Sequence, residues 1–199
     1  MKRLLKLTPI ILASLLFSGC FIQSFQPFYT EAAIVKPTAI LGSWQLVKKD
    51  DENVAEEYPE PWEFEVDETT TFEDGVSSTL STTYFKVKNM TFVDFSPAEP
   101  EEEPNEWWTL HTIPVHSVCK ITLSKETLIV IPLDGEWVQE MLEEKKISLS
   151  YIDIDIDSED EHIVLTSSPE ELLSFLKKHG NNSDAFTDDN AHIFQRTKP

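Results

Sequence analysis

Three aspartates in the C-terminal third of the chain have the residue type and spacing of a possible metal site. Asp153, Asp155 and Asp157 are separated by single isoleucines. Side chains two residues apart share one face of a strand, so these carboxylates would project together, as Ca²⁺ ligands do. An EF-hand loop would also need glycine at Ser158 and glutamate at Val164, and neither is present. We therefore expect a solvated acidic face opposite a buried isoleucine face, with calcium binding as the alternative.

The histidines and the second cysteine offer a weaker case for chemistry. His111 and His116 are five residues apart on either side of Pro114. On a regular strand this spacing puts them on opposite faces, and only a bulge would reunite them as zinc ligands. No cysteine or acid stands at zinc-ligand spacing beside them. Cys119 falls on the inward face of the strand predicted around it, so we expect a core cysteine rather than a nucleophile.

Enzyme signatures are missing from the sequence. After residue 19 its glycines are Gly42, Gly75, Gly135 and Gly180. They are too few and too far apart to form the glycine-rich loops that hold nucleotide phosphates. The Gly-x-Ser-x-Gly elbow of hydrolases is also absent. We predict a protein that is not an enzyme and that uses no dissociable cofactor.

The charge of the chain narrows its possible partners. With 36 acidic and 16 basic residues it has a formal net charge of −20 at pH 7, and removal of residues 1–19, which carry three basic residues, would give −23. Such a charge repels nucleic acid and anionic lipid surfaces, so we exclude nucleic acid as a partner. From 199 residues, removal of 19 leaves 180, enough for one domain with a substantial core.

The N-terminus has the features of a bacterial export signal. Three positive charges in residues 1–6 precede an apolar run over residues 7–17. That run is shorter than the roughly 20 residues of a membrane-spanning helix. Ser18-Gly19-Cys20 resembles the lipobox of bacterial lipoproteins, which implies cleavage before Cys20 and acylation of that cysteine. An ordinary secretory signal followed by an incidental cysteine is the alternative.

The lipobox resemblance also implies a location. Two or more acyl chains on Cys20 would anchor the chain beyond the reversible regime of a single chain. Phe21 is not the aspartate that commonly retains lipoproteins in the inner membrane. In a diderm bacterium this favours the cell outer membrane, with the protein facing the periplasm. The covalent lipid would then be the chain's membrane partner.

The sequence divides into a signal peptide (residues 1–19), a lipidated cysteine with a docking segment (residues 20–40) and one domain (residues 41–199). The docking segment is rich in apolar residues and lacks the Gly/Ser content of a loose linker. We expect it to pack on the domain from about Pro27 onward. About seven free residues would remain after Cys20, a reach of roughly 23 Å.

The sequence predicts that the domain is mainly β. Hydrophobic alternation and turn residues predict strands over residues 41–47, 62–66, 78–88, 90–95, 107–123 with a break at Pro114, 127–133, 147–156, 162–166 and 191–196. Two helices are predicted, one capped by Asp134 and one over Ser168–His179 with a capping box and Pro169 at its first position. Residues 97–106 are acidic and proline-rich and predict a solvated loop.

A short motif suggests how the sheet closes. The Gly42-x-Trp44 sequence at the start of the domain resembles the first strand of lipocalin-like barrels. In such barrels an arginine from the last strand commonly covers the tryptophan. Arg196 occupies the matching place, and the resemblance implies a cation–π contact with Trp44. An exposed C-terminal charge is the alternative for Arg196.

The chain resembles a family of uncharacterised bacterial lipoproteins with a lipocalin-like (calycin-type) β-barrel. The resemblance lies in the lipobox, in the Gly42-x-Trp44 motif, and in residues 27–31, 113–116, 133–137 and 168–179. The resemblance implies an antiparallel barrel of about eight to ten strands with two short α-helices, and it implies no substrate. We expect a non-enzymatic role, either binding a small apolar ligand inside the barrel or acting as an envelope-assembly scaffold with a filled barrel and a protein-binding surface.

Overall fold

The computed structural model describes residues 22–47, 60–73, 76–100, 104–154 and 162–197. The strands in these residues are β1 (Gln23–Ser24), β2 (Gly42–Val47), β3 (Trp62–Phe64), β4 (Glu68–Glu73), β5 (Val76–Val87), β6 (Met90–Pro97), β7 (Ser117–Ser124), β8 (Thr127–Pro132), β9 (Tyr151–Ile154), β10 (His162–Leu165) and β11 (His192–Arg196). The helices are α1 (Glu106–His111), α2 (Gly135–Glu143) and α3 (Pro169–His179).

Eight of these strands form a closed antiparallel barrel, which confirms the predicted fold class. The order around the barrel is β11-β2-β3-β4-β5-β6-β7-β8, and β8 pairs with β11 to close it. The remaining strands form a separate sheet in the order β1-β10-β9, in which β1 runs parallel to β10. The architecture is consistent with a lipocalin-like barrel.

The two ends of the barrel differ in their connections. One end, here called the turn end, carries the short β3–β4, β5–β6 and β7–β8 turns together with the start of β2 and the end of β11. The other, here called the connection end, carries the β2–β3 connection and the long links from β6 to β7 and from β8 to β11. The long links supply α1, α2, α3 and the β9 and β10 strands of the separate sheet, and its β1 strand comes from the N-terminal segment.

Apolar residues pack on both faces of the strands. Inside the barrel, Trp44, Phe64, Tyr84, Leu128 and Phe194 are fully buried. On the outside, a second core joins alternate residues of β5 to β8 with α2, α3 and the N-terminal segment. Strand β6 is therefore buried on both faces and lacks the alternating pattern of a half-exposed strand.

The caps of the two longer helices form as predicted. The Asp134 side chain accepts a hydrogen bond from the Trp137 N–H at 2.8 Å and begins α2. Ser168 and Glu171 form a reciprocal capping box at the start of α3. Gly180 ends α3 in a right-handed conformation, and a Cβ added there would lie 2.7 Å from the carbonyl oxygen of Leu176. Close packing rather than a left-handed turn therefore requires this glycine.

Two of the predicted elements are wrong in part. The strand predicted over residues 107–123 is instead helix α1, a loop through Pro114 and strand β7, so the described residues contain three α-helices rather than two. Helix α1 has Glu106 in its first turn and a stacked Trp107–His111 pair, which helical spacing brings together.

The strand predicted over residues 147–156 begins only at Tyr151, and the described part of it, β9, extends to Ile154. Ile152 is 42 % exposed rather than part of a buried face. Ile152 is exposed because β9 is an edge strand of the separate sheet and pairs only with β10 among the described strands.

Candidate functional site

A pocket of about 350 Å³ lies at the connection end of the barrel. Its walls are inward-facing side chains of six strands, and its rim is formed by residues of β1 and of the loop before β7. The lining includes Trp62, Leu80, Phe95, Ser117, Cys119, Val130 and His192 in the walls, with Gln23, Val115 and His116 at the rim.

Side-chain volume explains why the pocket occupies one half of the barrel. Toward the turn end the interior is filled by large rings, with Phe194 packed 5.1 Å from Trp62 and 5.8 Å from Phe64 between ring centroids. Toward the connection end, β7 contributes only Ser117 and Cys119 to the interior. Two small side chains in succession leave space that the opposite walls do not fill.

The Tyr84 side chain carries a buried hydroxyl in the core inside the barrel. Tyr84 Oη forms no hydrogen bond of normal geometry with any described residue. Burial raises the pKa of Tyr84 to about 12, although the neighbouring Thr69 hydroxyl opposes the shift. The phenol therefore stays protonated at physiological pH.

Cys119 is a buried thiol in the pocket wall. Its exposed fraction is 3 %, and burial raises its pKa to about 12, with the charge of Asp94 adding to the rise. The thiolate is the nucleophilic form of cysteine, and at neutral pH almost none is present. The expected core position of Cys119 is confirmed, and its thiol acts as a small packing group in the pocket wall rather than as a nucleophile.

The turn end of the barrel is covered by Arg196. Its guanidinium lies 4.1 Å from the centroid of the Trp44 ring. The same group donates hydrogen bonds to the carbonyl oxygens of Leu41 at 3.1 Å and Ala39 at 2.6 Å. The structure thus brings the predicted pair together and ties the last strand to the chain entering the first barrel strand.

Gly42 completes this closure. It has φ +117°, a conformation that side chains rarely adopt, and a Cβ there would lie 3.3 Å from Arg196 Nη1. Trp44 donates its indole N–H to the Ile40 carbonyl at 2.7 Å, which leaves its ring available to the guanidinium. Gly42, Trp44 and Arg196 therefore form one structural unit at the end opposite the pocket.

A buried carboxylate links the N-terminal segment to the pocket rim. Asp94, on the outer face of β6, is 2 % exposed. One of its oxygens accepts the Phe28 N–H at 2.9 Å, and the other lies 2.6 Å from His116 Nδ1. The backbones of His116 and Ser24 also exchange two hydrogen bonds, at 2.8 and 2.9 Å. Asp94 therefore holds both the segment and the rim histidine in place.

Replacement of Asp94 by asparagine should change how stability depends on pH. Burial raises the pKa of the Asp94 carboxyl, and the His116 and Phe28 hydrogen bonds oppose the rise only in part. When the pKa of a carboxyl is higher in the folded protein than in the unfolded chain, the fold is most stable at a pH below the ordinary pKa of 3.8. This stabilisation is lost as the pH rises through the raised pKa of the folded protein. The unfolding free energy of the native protein relative to Asp94→Asn should therefore fall as the pH rises above 3.8, measured by urea denaturation.

The exposed Asp153→Asn variant is the matched control for this experiment and should track the native protein across the pH range. A difference between the native protein and Asp94→Asn that grows with pH would contradict the proposed dominance of burial. It would mean that the charge pair with His116 controls Asp94 instead.

The docking segment begins earlier than predicted. Ile22, the first described residue, is already packed and only 4 % exposed, five positions before Pro27, and Phe28 is completely buried. Pairing of β1 with β10 and the backbone pairing of Ser24 with His116 account for the early start. Cys20 itself lies outside the described residues, only two positions before Ile22.

The two candidate zinc-ligand histidines contact different partners. His111 contacts the carbonyl oxygen of Trp107, whereas His116 contacts Asp94. Asp153 is exposed on β9, and Asp155 and Asp157 lie outside the described residues. Over the described ranges, no three histidine, cysteine, aspartate or glutamate side chains cluster as a metal site would require.

Comparisons of the chain with protein-family models, curated proteins and solved structures found no match. Within the part of the chain that the structure describes, every helix falls short of the length and apolar character of a membrane span.

Sequence reasoning allowed for a ligand inside the barrel, but it did not identify the residues that line the pocket, and it did not single out Asp94. The sequence signal for Asp94 is a lone acid in the otherwise uncharged run Met90–Phe95. A carboxylate buried within such a strand requires hydrogen-bond partners, and here they come from distant parts of the chain.

Proposed function

We propose that this chain is a membrane-anchored bacterial lipoprotein that binds a small apolar ligand in the barrel pocket. The observation that carries the proposal is the pocket of about 350 Å³ at the connection end. Ligand sites have volumes from roughly 300 Å³ upward and are lined mostly by apolar and aromatic side chains. The walls fit this description, because Trp62, Leu80, Phe95 and Val130 line the pocket together with Cys119.

The chemistry of the rim narrows the ligand class. Gln23, Ser117 and His192 are polar groups at or near the opening, whereas the deeper wall is apolar. A ligand with an apolar body and one uncharged polar group would match both regions. An anionic ligand is disfavoured because the chain carries a net charge of −20.

The anchor and the location belong to the same proposal. Acylation of Cys20 would hold the barrel at a membrane, and Phe21 at the next position favours the outer membrane with the protein facing the periplasm. The early docking at Ile22 supports a body held close to the anchor. In the alternative role, an envelope-assembly scaffold, the barrel would need no ligand.

The pocket is tested by filling it. Ser117→Trp places a large ring in the pocket wall and should lower the affinity for an uncharged apolar fluorophore such as N-phenylnaphthylamine at least about tenfold. Thr122→Trp, at an exposed position on the outer face of the same strand, is the matched control and should bind like the native protein. Thermal melting of both variants checks that each is folded.

Equal fluorophore affinity in folded Ser117→Trp and Thr122→Trp would contradict the pocket as the binding site. No fluorophore binding by the native protein would favour the scaffold role instead.

A further inference from the structure

A patch of exposed apolar side chains lies beside the pocket rim. Trp107 is 75 % exposed, and Leu110 and Ile113 are each 69 % exposed. Trp107 and Leu110 are three residues apart on α1 and therefore share one side of the helix. Isolated exposed apolar residues are ordinary, but three large ones within seven positions mark a contact surface.

The covalent chain fixes this patch close to the opening. Ile113 is two residues before Val115, which lines the rim, so their Cα atoms are at most about 7 Å apart. His116 follows at the rim and is tied to Ser24 by two backbone hydrogen bonds. The patch, the rim and the N-terminal segment therefore share one side of the molecule.

The start of the described chain lies at the same rim. Gln23 lines the opening, and Ile22 beside it is buried. Cys20 precedes Ile22 by only two positions in the sequence, so a very short stretch of chain connects the proposed acylation site to Ile22. Acyl chains attached at this point would bring a lipid surface to the pocket opening rather than to the turn end.

We propose that the pocket opens toward an uncharged lipid surface, which Trp107, Leu110 and Ile113 contact. This inference rests on the proposed acylation of Cys20. Tryptophan favours membrane interfaces because its ring is apolar and its N–H is polar. A lipid-facing opening lets an apolar ligand pass between membrane and pocket without crossing water.

Charge selects the kind of lipid. Residues 99–106, which lead into α1, contain five glutamates. These carboxylates repel anionic headgroups, so the surface should be zwitterionic. We expect contact with phosphatidylcholine vesicles and weaker contact when phosphatidylglycerol replaces part of the phosphatidylcholine.

The test measures the depth of single fluorophores on the lipidated full-length protein in vesicles. Leu110→Cys and Lys125→Cys each add one reactive thiol, while Cys119 is buried and Cys20 would be acylated. Lys125 lies in the β7–β8 turn at the opposite end of the barrel and is the matched control. Quenchers attached at the lipid headgroup and upper acyl chain should quench the fluorophore on Leu110→Cys and leave the one on Lys125→Cys unaffected.

Several outcomes would overturn the orientation. One is stronger quenching at Lys125→Cys, or none at Leu110→Cys. Another is an unmodified Cys20 by mass spectrometry, because the anchor would then be missing. An unquenched Leu110→Cys protein that sediments as a dimer would assign the patch to a second copy of the chain. Increased quenching with phosphatidylglycerol would contradict the charge argument.

The orientation and the proposed ligand binding fail separately. The Ser117→Trp comparison measures the pocket without vesicles, and depth quenching measures orientation without a ligand. Normal fluorophore binding with an unquenched Leu110→Cys site would overturn the orientation alone. Quenching at Leu110→Cys in a protein that binds no apolar probe would overturn ligand binding alone.

Discussion

Replacement of Phe28 by alanine should lower the unfolding free energy by about 3–5 kcal/mol. Phe28 is completely buried in the outer core, far in sequence from the strands it packs with. Truncation removes the ring and leaves a cavity, and both effects destabilise the fold. The backbone N–H of residue 28 can still donate to Asp94, so the loss reports packing of the N-terminal segment. Chemical denaturation followed by tryptophan fluorescence measures it.

Gln26→Ala is the matched control for Phe28→Ala, because Gln26 is exposed in the same segment. Its effect should stay within about 0.5 kcal/mol. If both variants unfold at the same denaturant concentration, the segment does not stabilise the domain. The early docking at Ile22 would then have no energetic basis.

Replacement of Arg196 by alanine should lower the unfolding free energy by about 2–3 kcal/mol. The cation–π contact with Trp44 accounts for roughly 0.5–2 kcal/mol, and the hydrogen bonds to Leu41 and Ala39 account for most of the rest. The ion pair with Glu126, at 3.7 Å and on an exposed partner, adds little. Trp44 emission should shift because water reaches the ring. Thermal melting and emission spectra measure both effects.

Arg196→Lys separates charge from shape. Lysine keeps the positive charge but lacks the planar group that stacks on Trp44 and reaches two carbonyls at once. It should recover only part of the stability. Unchanged melting temperature and emission in Arg196→Ala would contradict the role assigned to this residue.

The elements with strong local signals were predictable from the sequence. Strands such as Thr127–Pro132 alternate or carry β-branched residues, and α3 has a serine cap, an N-terminal proline and a basic last turn. The contact of Arg196 with Trp44 followed from a resemblance at the two ends of the domain. Each of these features depends on a few residues whose amino-acid type is enough to predict their structural role.

The errors came from segments where local and tertiary preferences differ. Trp107 to His111 have the aromatic and β-branched composition of a strand, yet they form α1 outside the barrel, where no neighbouring strand pairs with them among the described residues. The docking start was placed too late because the backbone pairing of Ser24 with His116 depends on the folded position of the loop before β7.

The volume and the lining of the pocket could not be predicted from the sequence, because volume is a property of the assembled barrel. Ser117 and Cys119 are small, but small residues leave a cavity only when the opposite wall does not reach them. Here the rings of Trp62 and Phe194 pack against each other with centroids 5.1 Å apart, and the interior on the connection-end side of this pair stays open. The spatial arrangement of those rings, not their identity, creates the candidate site.

The most direct test of ligand binding is native mass spectrometry of residues 21–199 purified without detergent, combined with apolar-probe titration. We expect a co-purifying apolar molecule, or stoichiometric probe binding, that is lost in Ser117→Trp and retained in Thr122→Trp. A protein that carries no bound mass and ignores every apolar probe would contradict the proposed function.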